Sequence, residues 1–501
     1  MVNVKIFIFL TGMLFLGGFH AHAEEYHVSI HGSDDADGSA EYPFLSISEA
    51  ARVAREKPNI VFIFLDDLGW KDVGYMGSTY YKTPHIDRLA GQGMIFTHAY
   101  ANAANCAPTR ASLLSGQYSP RHGVFTVARS DRGKSENRRL VPVANSRTMS
   151  LDKITIAEAI HSEDYVSAAI GKWNVGNSPE EQGFTIGMDR DPGYRGGHFN
   201  ETGAYLTDRL TDEAVDFISE NRKRPFFLYL AHHAVHTPIQ AKSDKIDKYD
   251  QREPDGCHKD AAYAAMIESV DESVGRIDHT LRELGLSENT VLIFFSDNGG
   301  HGTYTCQKPL RGGKGMFYEG GIRVPMFVHW PGTVGAGTKC SEPVIGTDFY
   351  PTILEVAGAK APVNYTLDGR SLLPLLKGKD HMDREAIFWH FPAYLQSYEG
   401  LRDDSRDTIF RTRPVSVIRK GDWKLLLFHE EWVLDGGKEG VSSNNSVELY
   451  NLVKDPGEER DLSNTNIEKR NELLKDLLEW QQDINAPVPE EPNPEYSLQS
   501  K

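Results

Sequence analysis

The chain of 501 residues carries 54 Lys and Arg against 71 Asp and Glu, a formal charge of −17, with 40% hydrophobic and 25% charged residues. This is ordinary globular composition, and the length suits one large α/β domain with a smaller partner. The acidic balance argues against nonspecific attraction to nucleic acid or to an anionic membrane surface, and any anionic ligand must be held in a local basic pocket against the protein's own field.

At the N-terminus, Lys5 precedes an apolar run over 6–16, and Ala21-His22-Ala23 places small residues where a signal peptidase reads. The run is short for a membrane span and no stop-transfer pattern follows. A signal peptide over 1–23 is expected, leaving an exported protein, periplasmic or secreted, with no integral membrane segment. The four cysteines, Cys106, Cys257, Cys306 and Cys340, contain no Cys-x-x-Cys pair, which weakens zinc and thiol-redox readings. With Cys106 set aside, at most one disulfide forms among the other three, in a compartment that permits it.

Residues 24–57 form an extension. Tyr26-His27-Val28-Ser29-Ile30 and Pro43-Phe44-Leu45-Ser46-Ile47 resemble the opening coil of right-handed β-helix polysaccharide lyases. A single coil cannot bury its own faces and no repeat follows, so a surface strand and helix are expected there. From Pro58 the pattern is α/β. Asn59-Ile60-Val61-Phe62-Ile63-Phe64-Leu65 is a continuous apolar run, as for a strand covered on both faces, and it stops at Asp66-Asp67. Tyr165-Val166-Ser167-Ala168-Ala169-Ile170 stops at Gly171-Lys172-Trp173. Pro225-Phe226-Phe227-Leu228-Tyr229-Leu230 leads to His232-His233 and His236, and Val291-Leu292-Ile293-Phe294-Phe295 to Ser296-Asp297-Asn298-Gly299. The carboxyl edge of an open parallel sheet is where ligands bind, so these endings together describe a site.

Helical spacing is expected over 150–162 and 261–284. After about residue 375 the composition changes: strands are expected at Pro414-Val415-Ser416-Val417-Ile418-Arg419, at 422–428 and at Glu448-Leu449-Tyr450-Asn451-Leu452, with an amphipathic helix over 467–482 and a loosely held Pro/Glu-rich tail after Pro487. The expected organisation is a catalytic domain over 58–375, a sheet-plus-helix subdomain over 376–490 and a tail over 491–501. Phe388-Trp389-His390-Phe391 is read as a core strand, with a sugar-stacking subsite as the alternative.

Two groups carry chemistry. Asp66, Asp67, Asp297 and Asn298 offer only oxygen donors, which select Ca²⁺ or Mg²⁺ over zinc. Cys106-Ala107-Pro108-Thr109-Arg110 places Pro108 in a first helical turn and sets Cys106 and Arg110 four apart on one helical face, where the helix start and Arg110 both favour negative charge.

With these residues in view, the chain resembles the type I sulfatases of the alkaline phosphatase superfamily from about residue 59 to 462. The match runs through Cys106-Ala107-Pro108-Thr109-Arg110 with Ser112-Leu113-Leu114-Ser115-Gly116, Gly171-Lys172-Trp173, His236-Thr237-Pro238, Gly313-Lys314-Gly315, and Glu448 to Leu452 with Asp455-Pro456. The resemblance implies a large, mixed, mostly parallel sheet sandwiched by helices and a smaller C-terminal domain of antiparallel sheet plus helix. It implies that a maturation enzyme oxidises Cys106 to Cα-formylglycine, whose hydrate is the nucleophile. It makes Asp66, Asp67, Asp297 and Asn298 calcium ligands, joined by the side chain at Cys106. Lys172 and Lys314 would bind sulfate, Arg110 would hold the hydrate, and His236 would face the leaving oxygen. The implied activity is sulfate-ester hydrolysis on a sulfated polysaccharide or its oligosaccharides. A phosphodiesterase or phosphonate hydrolase of the same superfamily, or a non-catalytic sulfated-glycan binder, are the alternatives. One departure stands out: Asn174 occupies the place where the family commonly has His after Gly-Lys-Trp, and Asn cannot act as a base near neutral pH. Gln117 is a smaller one, where the maturation signature often has Arg.

Overall fold

The computed structural model describes residues 4–7, 25–28, 33, 57–188, 192–398 and 404–497. Val4–Phe7 and Glu25–Val28 pair as an antiparallel hairpin. Most of the apolar leader and the stretch at 43–47 lie outside the described residues.

The main sheet has eight strands: β1 (Asn59–Leu65), β2 (Met94–Phe96), β3 (Val166–Gly171), β4 (Ile186–Met188), β5 (Phe226–Ala231), β6 (Thr290–Ser296), β7 (Met326–His329) and β8 (Thr338–Cys340). Their order is β8-β2-β7-β6-β1-β5-β3-β4. All neighbours run parallel except β7, which is antiparallel to β6 and to β2. The expected mixed, mostly parallel sheet is therefore present. β1 sits between β5 and β6 and all seven of its residues are buried, which is why its sequence is apolar throughout rather than alternating.

Strand pleating sends alternate residues of β1 into two cores. Ile60, Phe62 and Phe64 pack with helices α2 (Cys106–Ser115) and α5 (Phe349–Ala357). Val61, Ile63 and Leu65 pack with α1 (Pro84–Gln92), α3 (Leu206–Asn221) and α4 (Ala261–Glu283). The expected helix over 150–162 is shorter, Ile156–Ile160, because Thr155 and Glu158 form a capping box that sets its start.

The C-terminal part begins with β9 (Ile387–Phe391), then a short hairpin of β10 (Leu395–Gln396) and β11 (Phe410–Thr412), then β12 (Val415–Lys420), β13 (Trp423–Phe428) and β14 (Val447–Asn451). Strands β9-β12-β13-β14 form an antiparallel sheet. One face, with Val417 and Leu426, packs toward the part that carries the main sheet, beside Tyr100, Tyr118 and Met316. The other, with Ile418, Leu425 and Leu449, is covered by Leu473, Leu474 and Leu477 of α6 (Ile467–Asp483). Phe388-Trp389-His390-Phe391 is core strand: Trp389 is buried and donates Nε1–H to Ala101 O at 2.8 Å. The described part of the tail, up to residue 497, is held rather than loose. Val141 N donates to Glu491 O at 2.8 Å, and Asn493 Nδ2 donates to Arg138 O at 2.8 Å. Of the three remaining cysteines, Cys257 and Cys306 are disulfide-bonded, and Cys340 is free and buried in β8. Among the described residues, no helix is long and apolar enough to cross a membrane.

A buried ion cluster joins the two parts. Lys424 of β13 lies 3.1 Å from Glu319 and 2.9 Å from Glu458, all three side chains being inaccessible to solvent. Tyr100 donates to Glu319 at 2.7 Å, so the cluster reaches into the part that carries the main sheet. Removing one member of a buried set leaves an uncompensated charge, at a cost of about 3–5 kcal/mol. Lys424→Met is therefore expected to lower unfolding stability by about that amount in chemical denaturation; a change below about 1 kcal/mol would show that the cluster does not hold the two parts together.

Candidate active site

Four strand ends and one helix start meet at the carboxyl edge of the sheet. Asp66 and Asp67 follow β1, Lys172 follows β3, and Asp297 and Asn298 follow β6. His236 lies on the turn after β5, and Cys106 opens α2. Backbone hydrogen bonds knit these turns together: Asp66 N donates to Ala234 O at 3.1 Å, Val235 N to Asp66 O at 2.7 Å, and Asp297 N to Leu65 O at 3.1 Å. Asp67 adopts a left-handed backbone, φ 64°, sparsely populated for a residue with a side chain and typical of a site that fixes its geometry. The β3 turn depends on glycine. Gly171 has φ 99°, and a Cβ there would lie 2.1 Å from Ala231 O.

Helix α2 is buried along all ten residues. Thr109 fixes its entry by accepting from Ala103 N and donating to the carbonyls of Ala103 and Asn105, each at 3.1 Å. Four residues after Cys106, the fully buried Arg110 donates Nη1–H to Lys172 O at 2.7 Å and Nη2–H to Asp297 Oδ2 at 2.8 Å. Its guanidinium also lies 4.8 Å over the Phe64 ring. Arg110 is thus committed to organising the site.

The carboxylates and amines interlock. Lys172 donates to Asp66 Oδ2, and Lys314 donates to Asp67 Oδ2 at 2.7 Å. Asn298 Nδ2 donates to Asp67 Oδ1 at 2.8 Å, and Asp67 N donates to Asp297 Oδ1 at 3.2 Å. His236 Nδ1–H donates to Thr237 O at 2.6 Å, which leaves Nε2 facing Asp67 Oδ2 at 3.8 Å. Burial pushes the Asp66 carboxyl up, but Lys172, His236, Arg110 and Lys314 outweigh it and hold it well below its ordinary value. Burial and the neighbouring Asp66 instead push Asp297 up, to about 7. Burial would lower both lysines, but Asp66 holds Lys172, and Asp67 holds Lys314, above the ordinary lysine value. The Cys106 thiol is raised by burial against the pull of Lys172 and Lys314, so as a thiol it is a poor nucleophile.

The donor set fits a hard divalent cation. Among the described residues, Asp66 Oδ1 and Asn298 Oδ1 are buried without a hydrogen-bond partner, Arg110 Nη2 coming only to 3.9 Å of the former, so both can ligate. Ligand atoms of Asp66, Cys106 and Asp297 lie within 4.8 Å of one another, as do those of Asp66, Asp67 and His236. Every site residue named from sequence is therefore in this one cluster. His232 belongs to the fold: it is buried, its ring pairs with Ser273 Oγ at 2.9 Å, and burial lowers it to about 4. Asn174 has φ 59°, and its buried Nδ2 has no partner. Three nearby residues carried no sequence signal: His301, Tyr398 and Arg411. His301 lies on the loop after Asn298, and its ring stacks on Tyr398, with Arg411 over the same ring.

Comparison with known proteins agrees with this geometry. The sulfatase family model matches residues 58–359, and the model for the C-terminal part of N-sulphoglucosamine sulphohydrolase matches 312–483. A sulfatase of Formosa agariphila is 31% identical, the match covering 89% of this chain and 92% of that one. Human N-acetylgalactosamine-6-sulfatase is 28% identical over 88% of each chain. The crystal structure of Ps i-CgsB in complex with k-i-k-neocarrahexaose superposes with a TM-score of 0.67 at 29% identity, covering 89% of this chain and 94% of that one. The chain belongs to the sulfatase family and is a sulfuric ester hydrolase.

A cation among Asp66, Asp67 and Asp297 would bind the folded protein alone, so its removal subtracts stability. Dialysis against chelator is expected to lower the thermal midpoint by about 5 °C or more, with recovery on adding Ca²⁺. An unchanged midpoint in verified metal-free protein would contradict this ligand set.

Proposed function

We propose that the protein removes sulfate from a sulfated polysaccharide or its oligosaccharides, outside the cytoplasm, with a formylglycine made from Cys106 by a maturation enzyme and with bound Ca²⁺. The observation that carries the reading is the convergence of Cys106, Arg110, Lys172, His236 and Lys314 on one buried carboxylate cluster at the sheet edge. Asp66, Asp67, Asp297, Asn298 and the side chain at 106 would hold the ion, which would supply Lewis-acid charge, and the oxidised side chain at 106 would supply the nucleophile for sulfur.

The chain's own residues do the rest. Lys172 and Lys314 bind sulfate oxygens and offset the negative charge that repels a nucleophile. Arg110, fixed by Lys172 O and Asp297, orients the side chain at 106. The sulfur–oxygen ester bond breaks as the leaving oxygen takes the Nε2 proton of the His236 imidazolium, whose Nδ1–H stays bonded to Thr237 O. Asp67 Oδ2 lies 3.8 Å from Nε2, and Lys314, which donates to Asp67, is the alternative proton donor.

Carbohydrate as substrate draws support from relatives whose names specify sugar sulfates. Export draws support from the leader-like N-terminus and from the Cys257–Cys306 disulfide, which suits an oxidising compartment. The test is sulfate release across defined sulfated oligosaccharides, together with mass spectrometry of the peptide spanning Cys106 in protein from its native host. Release of sulfate and a peptide with CH₂SH replaced by CHO are expected, and Cys106→Ala should lower turnover by at least about 1,000-fold. An unmodified thiol with full activity would overturn the formylglycine assignment, and no sulfate release from any member would overturn the substrate class.

A further inference from the structure

Beside Lys314 stands a three-layer stack built from both parts of the chain. The His301 ring lies on Tyr398 with centroids 3.9 Å apart and planes at 26°. The Arg411 guanidinium, from β11, lies 3.6 Å from the centroid of the same Tyr398 ring. Two groups this close to one ring occupy opposite faces. Tyr398 therefore has no free face for a sugar to stack on; it holds Arg411 in place.

Arg411 is 4% exposed. It donates Nε–H to Gln396 O at 3.0 Å and Nη1–H to Lys314 O at 3.3 Å, both uncharged acceptors. Among the described residues, no carboxylate lies within ion-pair distance of it. Arg132 donates Nε–H to the side chain of the same Gln396 at 3.0 Å. Its charge repels Arg411, whose guanidinium is lowered chiefly by burial and in part by Arg132. The backbone makes room for this crowding. Gly315 has φ 88°, and a Cβ there would sit 2.8 Å from Arg411 Nη1. Lys314, Arg411 and Arg132 thus form a positive ridge in a chain of net charge −17, and among the described residues only Lys314 of the three lies within ion-pair distance of a carboxylate. A buried guanidinium without a counter-ion is unfavourable unless an anion completes it. The charged groups acting on His301 are Asp67, Lys314, Arg411 and His236, which places the stack next to the proposed leaving-group histidine.

We propose that Arg411, braced by Tyr398 and flanked by Arg132, is a second anion subsite that binds a further sulfate or a carboxylate on the leaving-group side of the same saccharide. The inference rests on the sulfatase reading and deepens it: the preferred substrate carries at least two anionic groups.

The experiment compares kcat/KM for sulfate release from matched oligosaccharides carrying the scissile sulfate alone, with a second sulfate, or with a uronate carboxylate, across positional isomers. Wild type is expected to favour at least one doubly anionic member over its singly sulfated partner by about tenfold or more, and whichever anion confers the preference identifies the group bound. Arg411→Gln should reduce that preference by about tenfold or more, and Arg411→Lys by less, since it keeps the charge but loses the planar fork. Arg132→Gln, a half-buried position, reads the same ratio if Arg411→Gln folds poorly, and should also reduce it. Sulfate release with no preference in wild type, or a preference that survives these substitutions, overturns the subsite while leaving the sulfatase reading intact. Release from no member overturns that reading as well.

Discussion

Three carboxylates, Asp66, Asp67 and Asp297, are fully buried together, and the arrangement of the site follows from keeping them there. Isolated buried charges are strongly unfavourable, so each must meet a cation or a hydrogen-bond donor. Lys172 comes to Asp66 from β3, Lys314 to Asp67 from the segment before β7, and Arg110 to Asp297 from α2. These pairings tie the ends of β1, β3 and β6 to the helix that presents Cys106. The same lysines have amines left to give to an anion. A divalent cation would turn the cluster's charge positive, which is what a sulfate ester needs from an otherwise acidic protein.

Much of this was legible in the sequence because the strands that carry the site are buried on both faces. An uninterrupted apolar run that ends in Asp66-Asp67 or Asp297-Asn298 marks both the strand and the residues at its carboxyl end, and the cysteine motif marks the helix start. Other features were set by partners far along the chain. The short helix at Ile156–Ile160 begins at a capping box that outcompetes the broader helical spacing. The tail after Pro487 is polar and Pro-rich, yet its backbone finds donors and acceptors at 135–141. Phe388 and Trp389 could line a surface as well as a core, and only the packing of the C-terminal sheet against Tyr100 decides between them. Tyr398 and Arg411 sit in a short hairpin with no motif, and they matter because the fold brings them to Lys314 and His301.

Asn174 remains the point at which this chain departs from the pattern it otherwise follows. Its side chain is an amide in a left-handed turn, with Nδ2 buried and unpaired, so it offers a hydrogen bond where a base is usual. Asp67 and His236, with Nε2 and Oδ2 3.8 Å apart, are titratable groups of the same cluster.

The cluster is built to act on sulfate esters in preference to phosphorus esters. The most direct measurement compares kcat/KM for a sulfate monoester with those for the phosphate monoester, phosphate diester and phosphonate ester of the same leaving alcohol, using Ca²⁺-loaded, formylglycine-containing protein. Sulfate-ester hydrolysis is expected to be faster by about 100-fold or more, corresponding to about 2.7 kcal/mol of transition-state preference. Equal or faster cleavage of any of the phosphorus esters would contradict it.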